Sequence, residues 1–211
     1  MRRLVVAGLM AALVLVAGSA VHAGPPTDQL KSTIDQVLAI LQDPALKAPG
    51  KVEERRQKIR AIANEVFDWE ETGKRALARH WQGRSPQERE EFSKLFADLL
   101  ERSYVGKIET YSGEKILYGE EAVDGEQATV RTKLVTKTGT QIPIDYKMLK
   151  VADRWRVYDV LIENVSLVAN YRSQFNRIIQ QSGYPDLIQR LKTKQEELQF
   201  DEGAAAKGKK P

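Results

Sequence analysis

The chain has 211 residues, no cysteine and a formal net charge of +4 at pH 7. Without cysteine it can form neither a disulfide framework nor the thiolate sites that commonly hold zinc. The charge is nearly balanced, because 33 lysines and arginines face 29 acidic residues. Composition therefore gives no argument for a nucleic-acid-binding protein.

The first 23 residues carry the pattern of a secretory signal peptide. Arg2 and Arg3 precede an apolar run from Leu4 to Ala17, and the segment ends on the small residue Ala23. The run is short for a membrane-spanning helix of about 20 residues, which disfavours the alternative of an uncleaved anchor. We expect cleavage after Ala23, export to the periplasm, and a mature charge of 31 minus 29, or +2.

Four helices are predicted before the first strand. Apolar side chains recur every three or four residues from residue 27 until Pro44, and again over residues 51–67. Asp68 can cap a third helix, which we expect to end near Gly83. The clearest helix start is the capping-box segment 85–88, with sequence Ser-Pro-Gln-Glu, and the helix that it opens is predicted to run to about residue 111.

After Gly113 the apolar pattern alternates with a period of two. We expect four short antiparallel strands, near residues 116–118, 130–136, 142–148 and 155–162. The acidic pair Glu120 and Glu121 is expected in a solvated loop. Two further helices are predicted after the strands: one from Ser166 to a stop at Gly183, and one over residues 185–198. Helices, then strands, then helices indicate an α+β fold with one antiparallel sheet.

The domain organisation expected from these patterns is a signal peptide at 1–23, one domain at 24–200 and a disordered basic tail at 201–211.

Few residues point to catalysis. His80 is the only histidine left after cleavage, and phosphate-loop, dinucleotide and Gly-x-Ser-x-Gly motifs are absent from the sequence. Asp159 stands in an otherwise apolar strand, where an unpaired charge is costly. It either faces a partner or solvent, or acts as a general base. No metal and no cofactor is predicted.

Three segments resemble the MlaC-type periplasmic phospholipid-binding proteins, also called the toluene-tolerance auxiliary-component family. They are residues 67–81, residues 85–104, and residues 146–175 with the run Trp-Arg-Val-Tyr-Asp-Val at 155–160. Asn164 stands where this family usually has glycine, and both residues tolerate a left-handed turn. The likeness covers roughly residues 27–195.

The resemblance implies an NTF2-like fold, in which a curved sheet and several helices enclose an apolar cavity. It implies a carrier that holds the acyl chains of a phospholipid and shuttles lipid across the periplasm. The implied partners are an inner-membrane ABC transporter complex with an MCE-domain subunit and an outer-membrane lipoprotein–porin complex. A hopanoid-associated branch of the family makes a hopanoid the alternative ligand. A carrier of this kind is expected to be a monomer and not an enzyme.

We expect the lipid to contact large apolar side chains on the longest helix, on the strands and on the helix after them. These are Phe92, Leu95, Phe96, Leu99, Tyr104, Val130, Leu134, Ile142, Ile144, Tyr146, Met148, Trp155, Val157, Tyr171 and Phe175.

Two other functions stay open from the sequence alone. One is an enzyme on the same fold, which would use Asp159 with Tyr146 or Tyr158 in its pocket. The other is a protein-interaction module whose core is filled and takes no ligand.

Overall fold

The computed structural model describes residues 24–48 and 50–193. The predicted signal peptide, the tail at 201–211 and the end of the last predicted helix lie outside the described residues. The helices are α1 (Pro25–Gln42), α2 (Pro44–Lys47), α3 (Val52–Val66), α4 (Trp69–Leu77), a 3-10 turn (Ala78–His80), α5 (Pro86–Glu109), α6 (Leu167–Ser182) and α7 (184–193). The strands are β1 (Lys115–Asp124), β2 (Gln127–Val135), β3 (Gln141–Val151), β4 (Arg154–Ile162) and β5 (Val165–Ser166).

The α+β prediction is confirmed. The five strands form one antiparallel sheet in the order β1-β2-β3-β4-β5, so each strand pairs with its neighbour in sequence. β5 has two residues and was too short for the alternation pattern to reveal. None of the helices in the described part of the chain is long and apolar enough to cross a bilayer.

Local sequence signals fix several helix ends. The Ser85 hydroxyl accepts a hydrogen bond from the Glu88 N–H, and the Glu88 carboxylate accepts one from the Ser85 N–H, which is the predicted capping box. Asp68 caps α4 through a 2.9 Å bond from the Glu71 N–H. α4 itself ends at Leu77, earlier than predicted, because Ala78 adopts a positive φ of 47°.

The structure corrects the prediction of a solvated loop at Glu120 and Glu121. Both residues belong to β1, where the pairing with β2 shifts register between Tyr118 and Glu121. The shift is a bulge that re-aims the side chains. The Glu121 carboxylate thereby reaches the start of α1 and accepts hydrogen bonds from the N–H and the hydroxyl of Thr27, at 2.7 and 2.6 Å.

Two separate apolar clusters hold the molecule together. The helical cluster joins α4, α5, α6 and α7 around Phe92, Phe96 and Phe175, whose rings lie within 5.8 Å of one another. The sheet cluster joins α1, the end of α3 and strands β2 to β4 around Leu30 and Val130. Because the two clusters do not merge, the space between them is left for a cavity.

Candidate functional site

A cavity of about 1360 Å³ lies between the helices and the inner face of the sheet. Its volume exceeds the ~300–1,000 Å³ of pockets that bind drug-sized ligands. The wall is formed by α1, α3, α4 and α5 on the helical side and by β1 to β4 on the sheet side. The structure therefore contains a space suited to a ligand larger than a typical metabolite.

The inner wall of the cavity is predominantly apolar. The helices contribute side chains at three- and four-residue spacing, and β3 contributes every second residue, because these are the periods at which one face of each element repeats. β4 contributes the continuous run 157–160. The apolar lining residues on helices and their ends are Leu30, Ile34, Val37, Leu38, Leu41, Ile59, Ile62, Ala63, Val66, Phe67, Trp69, Ala97, Leu100, Val105, Ile108, Leu167 and Val168. Those on strands are Ile116, Leu134, Ile142, Ile144, Val157, Val160 and Ile162.

Charged side chains line the cavity where the helices meet solvent. On α3, α4 and α5 four of them are basic and four are acidic, so the rim is polar without one dominant charge. A rim of this kind separates the apolar interior from water and can interact with the polar end of an amphipathic ligand. The charged rim residues on these helices are Arg60, Glu70, Arg89, Glu90, Lys94, Asp98, Glu101 and Lys107.

The rim is most strongly structured where α3 faces α5. The Arg60 guanidinium donates from Nε to both carboxylate oxygens of Glu101, at 2.7 and 2.9 Å, and this hydrogen bond raises the pKa of Arg60. Further along the same two helices, outside the cavity lining, Glu109 accepts bonds from Arg55 and Arg56. Burial acts to raise the pKa of Glu109, but the hydrogen bonds from the two arginines outweigh it, so that this pKa is lowered.

Three groups bring polarity into the cavity wall. Thr72 is buried, and its hydroxyl lies 2.7 Å from the carbonyl oxygen of Asp68 and 3.1 Å from that of Tyr158. Tyr146 lies on β3, where burial raises the pKa of its phenol to about 12. Asp159 is buried at the sheet end of α6. The Tyr146 phenol is uncharged at physiological pH, as an ordinary phenol is, so it adds a hydroxyl but no charge to the wall.

Six of the fifteen side chains predicted to contact lipid line this cavity. They lie on α5 and on strands β2, β3 and β4, and their contact with lipid stays a prediction. They are Tyr104, Leu134, Ile142, Ile144, Tyr146 and Val157.

The other nine do not line the cavity and pack in the two apolar clusters instead. α5 has two apolar faces: one faces α4 and α6 and fills the helical cluster, and the other faces the cavity. The pattern of α5 did not tell them apart. In the helical cluster lie Phe92, Leu95, Phe96, Leu99, Tyr171 and Phe175, and in the sheet cluster lie Val130, Met148 and Trp155.

The prediction missed the contribution of α1 and α3. Leu38 and Leu41 on α1, and Ile59 and Ile62 on α3, line the cavity. The periodic stripe on each helix was visible in the sequence, but a stripe shows only that one face is covered, not whether a core or a ligand covers it. The charged members of the rim had no sequence signal at all.

The side chains considered as candidates for catalysis or metal binding form hydrogen bonds within the fold. The imidazole Nε2 of His80 lies 3.0 Å from the Asn176 side-chain oxygen on α6. Asp159 binds Ser166 and the start of α6. Across residues 24–48 and 50–193, no cluster of three or more histidine or acidic side chains is arranged to hold a metal ion.

Comparison with known proteins finds similarity over nearly all of the described chain. The family model described as MlaC protein matches residues 31–193. The intermembrane phospholipid transport system binding protein MlaC of Haemophilus influenzae is 23% identical over 182 residues, which cover 84% of this chain and 85% of that protein. The toluene tolerance protein ttg2D of Pseudomonas putida is 21% identical over 178 residues, covering 83% of each.

A solved structure is also similar. The phospholipid-binding protein from Ralstonia solanacearum, determined in complex with a phospholipid, superposes with a TM-score of 0.74. Its sequence identity with this chain is 26%, and the match covers 83% of this chain and 99% of that one.

Proposed function

The chain belongs to the MlaC family, and from this premise we propose that it is a periplasmic carrier that binds the acyl chains of a phospholipid and shuttles the lipid between membranes. The observation that carries the proposal is the cavity of about 1360 Å³ with apolar walls. The phospholipid named for the similar Ralstonia structure supports the choice of ligand.

The energetics fit a carrier. Two acyl chains contain about 30 methylene groups, and removing each from water is worth about 0.8 kcal/mol, so that roughly 24 kcal/mol opposes the escape of a lipid into water. A lipid therefore crosses an aqueous gap only inside a protein. Because a bilayer offers nearly the same apolar burial, the carrier needs only an affinity for lipid close to that of the membrane. The partner complexes must then set the direction of lipid transport.

Export places the carrier in the compartment where such a gap exists. The signal-peptide pattern at residues 1–23 supports a periplasmic location. The names of the Haemophilus and Pseudomonas relatives support a role in a transport system. We propose as partners an inner-membrane ABC transporter complex with an MCE-domain subunit and an outer-membrane lipoprotein–porin complex. This role needs no catalytic step.

Native mass spectrometry of the protein purified after export tests the ligand. We expect an added mass that denaturing extraction identifies as a two-chain phospholipid. A hopanoid would change the lipid class while keeping the carrier. A homogeneous protein that carries nothing and takes no lipid from vesicles would overturn the proposal.

Two variants of α3 test whether the ligand lies in the cavity. Ala63 lines the cavity, whereas Ala61, two residues earlier, is exposed and does not. Ala63→Trp fills part of the cavity and is expected to lower the bound lipid fraction severalfold, and Ala61→Trp is expected to leave it unchanged. Equal lipid occupancy in both variants would mean that the lipid lies elsewhere.

A further inference from the structure

Ion pairs between α3 and α5 cross the seam between these two helices. Arg55, Arg56 and Arg60 on α3 pair with Glu101 and Glu109 on α5, and we name these ion pairs the α3–α5 latch. Their N–O distances are 2.7 to 2.9 Å. Hydrogen bonds between charged groups are shorter and stronger than those between neutral groups.

Apolar packing does not join the two sides of the seam into one core. Ile59 on α3 and Val105 on α5 are buried, yet neither belongs to the helical or to the sheet cluster, and both line the cavity. α5 is anchored in the helical cluster, and α3 is anchored in the sheet cluster through Val66. The latch therefore connects two bodies, each with its own apolar core.

Elsewhere around the cavity, hydrogen bonds connect these two bodies where β4 meets α4 and α6. The Asp68 N–H donates to the Val157 carbonyl at 2.8 Å, and the Thr72 hydroxyl lies 3.1 Å from the Tyr158 carbonyl oxygen. Asp159 on β4 holds the start of α6. These bonds use buried backbone groups, which are costly to leave unpaired. They make β4 the natural hinge.

The latch differs at its Arg60–Glu101 pair, which reaches solvent, whereas the side chains of Arg55, Arg56 and Glu109 are only 12 to 19% exposed. The side chain of Arg60 is 41% exposed, and that of Glu101 is 18% exposed. When such a pair separates, water replaces the partner at small cost, whereas apolar cores that separate expose surface that water does not stabilise. An ionic seam can thus close over an apolar cavity and still open at a membrane.

We propose that the seam between α3 and α5 is the opening through which lipid enters and leaves, and that the α3–α5 latch sets the rate. This inference depends on the proposed carrier function. It identifies the moving parts as α3 with the sheet cluster on one side and α5 with the helical cluster on the other.

Lipid exchange between vesicles of phosphatidylethanolamine and phosphatidylglycerol, followed with a fluorescent phospholipid, tests the latch. Glu101→Gln and Glu109→Gln keep the shape of the side chain but remove its charge, and we expect each to speed exchange by about fivefold or more. Glu91 offers the matched control, because it pairs with Lys192 on α7, within the helical cluster's body and not across the seam. Glu91→Gln is expected to leave the rate unchanged.

Reversing the charges separates an ionic latch from a general loosening of the fold. Arg60→Glu alone is expected to speed exchange, and Arg60→Glu combined with Glu101→Arg is expected to return the rate toward that of the wild type. Lipid-loaded, folded variants of Glu101 and Glu109 that exchange at the wild-type rate would overturn the latch. A wild-type protein that binds no lipid would overturn the carrier function and the latch with it.

A covalent bridge tests the opening itself. The chain has no cysteine, so Arg60→Cys with Glu101→Cys gives two thiols that a short bis-maleimide can join. The bridged protein is expected to retain its lipid and to lose exchange by at least about tenfold. The same bridge between Glu91→Cys and Lys192→Cys, within the helical body, should not slow exchange. Unimpaired exchange across a bridged α3–α5 seam would place the opening elsewhere.

Discussion

The Ser166 hydroxyl donates a 2.6 Å hydrogen bond to the carboxylate of Asp159 where the sheet passes into α6. The other Asp159 oxygen accepts the Val168 N–H at 3.1 Å, and the Ser166 oxygen accepts the Ala169 N–H at 2.9 Å. The charge in this apolar strand is therefore used to satisfy the free N–H groups of a helix start. These bonds account for the burial of the Asp159 carboxylate.

Removing this carboxylate should destabilise the fold. Asp159→Ala leaves the buried Val168 N–H and the half-buried Ser166 hydroxyl without an acceptor, and we expect it to lower the free energy of unfolding by about 2–4 kcal/mol. Ser166→Ala should cost about 1 kcal/mol. Urea unfolding followed by circular dichroism measures both. Glu120→Ala is the control, because this acidic strand residue is exposed and should change stability by less than about 0.5 kcal/mol. An equal effect of Asp159→Ala and Glu120→Ala would contradict the capping role.

A second prediction concerns Gly24, which precedes α1. A Cβ atom at this position would lie 2.0 Å from an oxygen of the Glu121 carboxylate, the group that binds Thr27. Gly24→Ala must push the carboxylate away and should cost about 1–2 kcal/mol, the value of the lost hydrogen bonds. Thermal unfolding of a double-mutant cycle is the measurement. In the Glu121→Ala background the cost of Gly24→Ala should vanish, and an unchanged cost would show that the carboxylate is not its cause.

Ser93 offers a stabilising substitution. Its hydroxyl oxygen is buried on α5 and has no hydrogen-bond partner within the described chain, and it lies where a Cβ on Gly73 would approach to 2.7 Å. Ser93→Ala removes an unsatisfied polar group and adds a better helix former, so we expect a gain of about 1 kcal/mol in chemical unfolding. Gly73→Ala should lower the free energy of unfolding less in the Ser93→Ala protein than in the wild type. A loss of stability in Ser93→Ala would reveal a partner for the hydroxyl.

Alkaline pH should weaken the fold through Tyr146. Burial raises its pKa from 10.0 to about 12, so between these values the unfolded chain releases a proton that the folded chain keeps. Stability therefore falls as pH rises through this window, by up to about 1.4 kcal/mol per pH unit for this residue. In the Tyr146→Phe variant, the free energy of unfolding measured from pH 9 to 12 should fall less steeply by that amount. The same slope in the variant and the wild type would exclude Tyr146 as the source.

The elements that the sequence predicted best are those with strong local signals. The capping box at Ser85 and the positive φ of Asn164 both follow from side-chain chemistry within a few residues. The predictions that failed depended on distant partners. Glu121 resembled a loop residue because its partners at Thr27 are 94 positions away in sequence.

The sequence by itself determined the α+β order of elements, most helix starts and the resemblance to the MlaC family, because each of these depends on residue type and on spacing along the chain. Only the tertiary structure decided which apolar stripes surround the cavity and which fill a core. Phe96 and Leu100 stand one turn apart on α5, yet Leu100 lines the cavity and Phe96 does not. The physical reason is that the hydrophobic effect has no direction. It requires each apolar face to be covered, and the packing of the elements selects whether protein or ligand covers it.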